Sequence, residues 1–228
     1  LSGIDAKGEL QLAAKIKGIY NELSMPYVDA ALKYNNGVVS MPEMLPYPVT
    51  NFSTNIKADV DLNNKTDIYV NHLNANMSNS SLALSGTIKD VMDKMYCNIK
   101  LNAVADLNEL QSFIPEDIVA EGKIKLDATA SVNNHQITNM DLMNAKVNGN
   151  MQWDNMNIVY YDTINVTADR LDVSLTLPNP ISEDLMNGLA SVEIKGTNLD
   201  ARVADMIVAG LKDYNINAQV SNILDENV

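Results

Sequence analysis

Apolar and polar residues alternate with a period of two through most of this 228-residue chain, and that period suits half-buried strands rather than helices. In GKIKLDATASV, residues 122–132, Ile124, Leu126, Ala128, Ala130 and Val132 share one side, while Lys123, Lys125, Asp127, Thr129 and Ser131 share the other. The same pattern runs through Leu10 and Leu12, Val60 and Leu62, Ile68 and Val70, Leu82 and Leu84, and Ile99 with Leu101 and Ala103. It resumes in Ile164 with Val166, Leu171 with Val173 and Leu175, and Val192 with Ile194. Short turn signals (NNG, NNK, NSS, PNP) separate the runs, which predicts an all-β, mainly antiparallel fold. Helix is expected only over 106–114, with Asp106 as N-cap and Pro115 as stop, in a turn after Ser182, and over 201–211. Pro42, Pro46 and Pro48 predict a loop or an irregular edge, because proline cannot donate to a central ladder.

Two pentapeptides, NIKAD (55–59) and NVTAD (165–169), raise the possibility of an internal repeat. At nearby offsets GELQLAA (8–14) lies over GKIKLDA (122–128), VDAALKYNNG (28–37) over MDLMNAKVNG (140–149), and Gly86-Thr87 over Gly196-Thr197. The order is colinear. The sequence therefore predicts two tandem β repeat units, 8–121 and a divergent 122–228, sharing one continuous sheet that is curved and either groove-like or sandwich-like.

Charge and chemistry narrow the function. With 16 Lys and Arg against 29 Asp and Glu, the net charge is −13, which repels a phosphate backbone and predicts no nucleic-acid partner. No apolar run approaches the roughly 18 to 20 residues that cross a bilayer as a helix, and no signal peptide is evident. The chain starts at Leu1 rather than Met, so it is read as a piece of a longer protein whose anchor or export signal lies upstream. The single cysteine, Cys97, reads as a buried thiol at the start of a strand. Five N-x-S/T matches, beginning at Asn51, Asn64, Asn76, Asn79 and Asn165, carry little weight in so asparagine-rich a chain. His72 and His135 stand apart from each other and from Cys97, away from metal-ligand spacing. DVDLNN (59–64) imitates the start of a calcium loop but has Asn64 where glycine belongs and Val70 where the bidentate glutamate belongs. No nucleophile elbow, zinc, phosphate-loop or dinucleotide motif occurs. The expectation is a protein that is not an enzyme and needs no cofactor or metal.

Several fragments carry a family resemblance: GELQLAAKIKG, then Leu45-Pro46-Tyr47-Pro48-Val49-Thr50-Asn51 after the NG turn, then LALSGTIKD (82–90), then ADLNEL (105–110) followed by GKIKL (122–126). Together they resemble the AsmA family of bacterial envelope biogenesis proteins, notably its Bacteroidetes members, over residues 8–134 and more weakly over 140–228. The resemblance implies a periplasmic body of antiparallel sheet held in the inner membrane by an N-terminal helix. It also implies kinship with repeating β-groove lipid-transfer proteins, in which acyl lipid such as phospholipid moves along an apolar trough. The family has no catalytic motif to carry over.

The residue pattern supports such a trough independently. An apolar sheet face of Leu, Ile, Val and Ala gains about 25 cal/mol for each Å² withheld from water, and acyl chains can cover it without any placed polar group. Helical material and bulky aromatics are scarce, with two Phe, one Trp and nine Tyr, while twelve Met supply adaptable apolar surface. The predicted groove lining is Leu10, Leu12, Val60, Leu62, Leu82, Leu84, Ile99, Leu101, Ile124, Leu126, Val173 and Leu175. Two other classes are weighed against lipid handling: a carbohydrate-binding or adhesin-like module stacking sugars on Trp153, Tyr160 and Tyr161, and a structural scaffold that binds nothing. The alternation Val147, Gly149, Met151, Trp153 turns the indole toward the core and lowers the carbohydrate option.

Overall fold

The computed structural model describes residues 4–19, 21, 26–61, 65–138, 145–179, 189–204 and 206–220. Their strands form one sheet of eleven, each hydrogen-bonded to its neighbour in sequence: β1 (Asp5–Lys17), β2 (Tyr27–Ser40), β3 (Val49–Val60), β4 (Thr66–Met77), β5 (Ser80–Lys89), β6 (Tyr96–Asp106), β7 (Ile118–Val132), β8 (Lys146–Tyr160), β9 (Ile164–Asn179), β10 (Leu189–Val203) and β11 (Met206–Val220). Every pairing is antiparallel. The all-β antiparallel fold read from the alternation is the fold observed. The sheet is open and unrolled, with β1 and β11 as its edges. The sandwich option is set aside, because the described residues form one sheet with no second layer packed on it.

A single layer leaves a signature in burial. No large side chain among the described residues is wholly buried, whereas the inner residues of two packed sheets would be. The chain exposes 14877 Å², roughly one and a half times what a compact protein of its mass presents. The residues that are buried gather toward the strand ends. Met77, Leu107, Ala120, Met156 and Ala168 lie toward one end, and Ala145, Leu177 and Ala190 toward the other.

The helical expectations need correction. Over 106–114 the chain makes two 3-10 turns, Leu107–Glu109 and Gln111–Phe113, and Asp106 caps the first by accepting from the Asn108 N–H at 3.1 Å. Residues 201–211 are not helical: Val203 pairs with Met206 at a tight turn, and Ala204 takes φ 52°. Val203, Ile207 and Val208 are β-branched and prefer a pleated strand, and this outweighs the neighbouring alanines. A short helix that was not expected, α1 (Asn134–Thr138), follows β7, and Asn133 and Gln136 hold its start by reciprocal side-chain bonds of 2.9 Å. The turn expected after Ser182 lies outside the described residues.

The long strands keep one apolar face because bulges correct their phase. Ile124 faces Trp153, yet Ala120 faces Ile158, so β8 carries one more residue than β7 between the same two rungs. Asn155 takes up the extra residue at φ 52°, opposite Gly122 at φ 108°. A side chain at Gly122 would meet the Asp154 and Asn155 carbonyls within 2.6 Å, so only glycine fits. Asn36 (φ 52°) does the same in β2, so NNG is a bulge within the strand and not a turn between strands. The Pro42, Pro46 and Pro48 segment is the β2–β3 loop, as expected. Residue 122, where the second repeat unit was drawn, lies within β7, at the bulge against β8 and one residue beyond the last rung to β6, Asp106 with Lys123. The repeated motifs fall on β1 and β7, β3 and β9, and β5 and β10.

Candidate functional site

The register shows how the predicted lining residues stand to one another, because directly paired residues project from the same face. Leu10, Leu84, Leu101 and Leu175 lie in one row, linked through Tyr34, Thr54, Leu73, Ala128 and Gly149. Leu12 and Ile99 share the next row through Leu32, Ile56, Val70 and Gly86. Leu82, Leu126 and Val173 are joined through Ala103 and Met151. Ile124 sits beside Trp153, and Val60 is paired to Val28 and so to Ile16. Eleven of the twelve residues therefore share one face, and Leu62 lies outside the described residues.

This face is extensive and only half withdrawn from water. Strands about 4.8 Å apart make an eleven-stranded sheet about 48 Å wide. Leu84, Ile99, Leu101, Leu126 and Val173 are half-buried by their neighbours, while Leu10 and Leu12 at the β1 edge are 58% and 70% exposed. Pattern reading missed the contribution of β2 and β11. Val28, Leu32 and Ile216 belong to the same face, and the VDAALKY alternation announces the first two once the Asn36 bulge is recognised.

One end of this face is clasped by the segment between β6 and β7. Glu109, only 3% exposed, accepts from the Asn79 N–H at 2.8 Å and from the Ser80 hydroxyl at 2.6 Å, tying the first 3-10 turn to the β4–β5 turn. Ser112 Oγ donates to the Met44 carbonyl at 2.6 Å, so the β2–β3 loop and the β6–β7 segment touch. Gln111 Nε2 donates to the Ala120 carbonyl of β7 at 2.5 Å.

The opposite face is a polar lattice. Asp154 accepts from Gln152 and Lys125, Arg170 reaches both Asp172 and Gln152, Ser174 donates to Asn150, and Lys195 pairs with Glu193. A hollow of about 380 Å³ lies here, lined chiefly by Lys125, Asp127, Gln152, Asp172, Glu193 and Lys195. Lys195 pairs with Glu193 within it, Lys125 and Asp172 pair with Asp154 and Arg170 beside it, and the Ser174 hydroxyl on its wall is spent on Asn150.

The aromatic platform considered for sugars is not assembled. Trp153 is half-buried and donates Nε1–H to the Glu121 carbonyl at 3.0 Å. Tyr160 and Tyr161 stack edge-on at 4.5 Å, but seven residues further along β8, about 23 Å away at the strand rise. Cys97 is buried, and burial raises its thiol pKa, the setting of an inert thiol rather than a nucleophile. Among the described residues no three His, Cys, Asp or Glu side chains converge as a metal site, and no helix is long and apolar enough to cross a membrane. No protein-family model, curated protein or solved structure matches the chain.

Two buried carboxylates make stability depend on acid. Asp67 is held below the usual carboxylate range first by the Asp90 N–H, 2.9 Å away, against the opposing pull of burial and with help from Lys65. At Glu109 burial pushes the pKa upward, but the hydrogen bonds from Ser80, Asn79 and Ser78 outweigh it, and the net shift is downward. Depressed folded-state values mean that this stabilisation is complete above the unfolded-state pKa values and is lost as pH falls through the folded ones. The midpoint of urea unfolding is therefore expected to hold from neutrality down to about pH 5 and to fall steeply below about pH 4. Changing Asp67 to Asn and Glu109 to Gln together should flatten that acid limb, and an unchanged limb would show that other carboxylates control it.

Proposed function

We propose that this chain is a non-enzymatic lipid-handling module of the bacterial envelope, which holds acyl chains of phospholipid or a similar lipid against the apolar face of its sheet. One observation carries the reading: a face of Leu, Ile, Val and Met continuous across eleven strands, left half-open because the sheet is a single layer. Apolar area of this extent calls for a cover, and hydrocarbon covers it by non-directional burial. Half of a bilayer's hydrocarbon core is about 15 Å thick, so one leaflet's acyl chains fit easily within the span of this face. The AsmA-like motifs support the same reading and suggest periplasmic residence, with attachment to the inner membrane through a segment outside this chain. The scaffold reading predicts a face that stays empty.

Trp153 provides the test. It is the only tryptophan and stands on the apolar face between Ile124 and Leu171. Phospholipid brominated on its acyl chains should quench its emission by about half at saturation, whereas bromide in solution should quench it little. Native mass spectrometry of protein purified without detergent should show phospholipid adducts. A lipid-free spectrum together with unquenched emission would rule the reading out.

A further inference from the structure

We infer that one rim of the sheet, built from the β2–β3, β6–β7 and β8–β9 connections, docks on a bilayer of zwitterionic phospholipid. The docking rests on the lipid-handling reading for its purpose but not for its geometry. The three connections leave the sheet at the same end, because β2, β6 and β8 run toward it and β3, β7 and β9 run away from it. Each turns large apolar or aromatic side chains to water: Met44 and Tyr47 in the first, 52% and 49% exposed, Phe113 in the second, 57%, and Tyr161 in the third, 64%. The connections are also tied together. Ser112 holds the Met44 carbonyl, and the Tyr161 N–H donates to the Asp117 carbonyl at 3.0 Å, so the exposed side chains ride on one joined platform. From β2 to β9 it extends seven strand spacings, about 34 Å. A single exposed apolar residue is ordinary, but a row of them along one rim marks a contact surface.

The chemistry of the rim selects its occupant. Tyrosine, with an apolar ring and a polar hydroxyl, suits the boundary between headgroups and acyl chains, and Phe113 and Met44 suit the hydrocarbon just beneath it. Residues 41–48, 107–117 and 161–163 contain Glu43, Glu109, Glu116, Asp117 and Asp162 but no lysine or arginine. Glu109 is engaged internally. The other four acids repel anionic lipid and match the ammonium groups of ethanolamine or choline headgroups. The rim opens directly onto the apolar face. Ile118, Tyr160 and Ile164 are paired across β7, β8 and β9 as the last row of that face, and Tyr160 meets Tyr161 edge-on. The opposite end is built for water: Asp59, Asp61, Lys65, Asp67, Asp90 and Asp93 surround a hollow there, and the exposed Met92 stands between two of those acids.

Vesicle flotation tests the rim. The unmodified chain should float with vesicles of phosphatidylethanolamine and phosphatidylcholine, and bind roughly tenfold more weakly at low salt once phosphatidylglycerol replaces half of the lipid. Tyr47→Ser, Phe113→Ser and Tyr161→Ser combined should weaken binding to the zwitterionic vesicles roughly a hundredfold, as three rings are withdrawn from the bilayer. The urea midpoint should stay unchanged, because all three side chains are exposed. Met92→Ser at the opposite end should alter neither readout. Leu84→Asp, at the middle of the face, should float as the unmodified chain does. Quenching of Trp153 by brominated phospholipid reads occupancy of the face, so lipid uptake and docking can fail separately. An unmodified chain that does not float or that prefers phosphatidylglycerol overturns the inference. So does a triple variant that floats undiminished, above all if Leu84→Asp does not.

Discussion

Leu84→Asp is expected to strip acyl lipid from the protein while leaving the sheet folded. Leu84 lies in the row that links Leu73, Leu101 and Ala128, near the middle of the apolar face. It is half-buried, so an aspartate there can keep most of its hydration, and the cost to folding should be about 1 to 2 kcal/mol. Against a hydrocarbon chain the same carboxylate must be desolvated, and two or three methylene contacts worth about 0.8 kcal/mol each are lost. The net loss of about 2 kcal/mol corresponds to a roughly 30-fold weaker hold on lipid. Ser85→Asp is the matched control. Ser85 is next in sequence and faces Lys100 on the polar side of the ladder, so it should leave lipid content unchanged. The readout is bound phosphorus per chain, with far-ultraviolet circular dichroism reporting the fold. A folded Leu84→Asp protein that retains its lipid would move the binding surface elsewhere, and loss from both variants would point to a general disturbance of the sheet.

The difference between those two variants rests on information the sequence displays openly. A period of two is strictly local, so the alternation in β7 alone places Ile124, Leu126 and Ala128 together, and the observed register carries the same side across to Leu101, Met151 and Val173. Phase breaks were harder to see. Asn36, Asn155 and Asn198 all take positive φ, a conformation asparagine tolerates better than other residues with a side chain. Their scatter through strands explains part of an asparagine content that composition alone leaves without a role. Whether an alternating strand belongs to one layer or two cannot be read from its period, because the same side chains face inward in both. Only the arrangement of strands in space decides it. The 201–211 segment was misread for a related reason: eleven residues with scattered alanines suit either state, and the partners that fix a hairpin, β10 with β11, lie on both sides of the ambiguous stretch.

Nothing in the sequence marked Glu109, yet its replacement should have the largest effect on stability. It follows a strand in a run with helical spacing, where a glutamate ordinarily faces solvent. In the fold it is nearly enclosed, with both carboxylate oxygens committed, one to the Asn79 N–H and the other to the Ser80 hydroxyl. Ser80 in turn accepts from the Asp106 N–H at 3.0 Å, so the carboxylate, the β4–β5 turn and the end of β6 form one connected network. Glu109→Ala removes two charge-assisted bonds and the tie that its enclosed carboxylate makes between the first 3-10 turn and the β4–β5 turn, for which about 3 kcal/mol is expected. That is a large share of the margin of a typical domain, about 5 to 15 kcal/mol, and an open single-layer sheet has little packing to make it up. Glu109→Gln should lose less, since its amide oxygen can still accept one of the two bonds. The ordering Ala below Gln below the unmodified chain in urea midpoint at pH 7 distinguishes this clasp from a solvated surface glutamate, for which all three would coincide. The same residues hold the 3-10 turns whose Ser112 meets Met44, so amide exchange in 41–48 and 107–114 should accelerate in Glu109→Ala before the central strands do. Uniform acceleration across the sheet would mean that Glu109 supports the whole layer and not only the end of its apolar face.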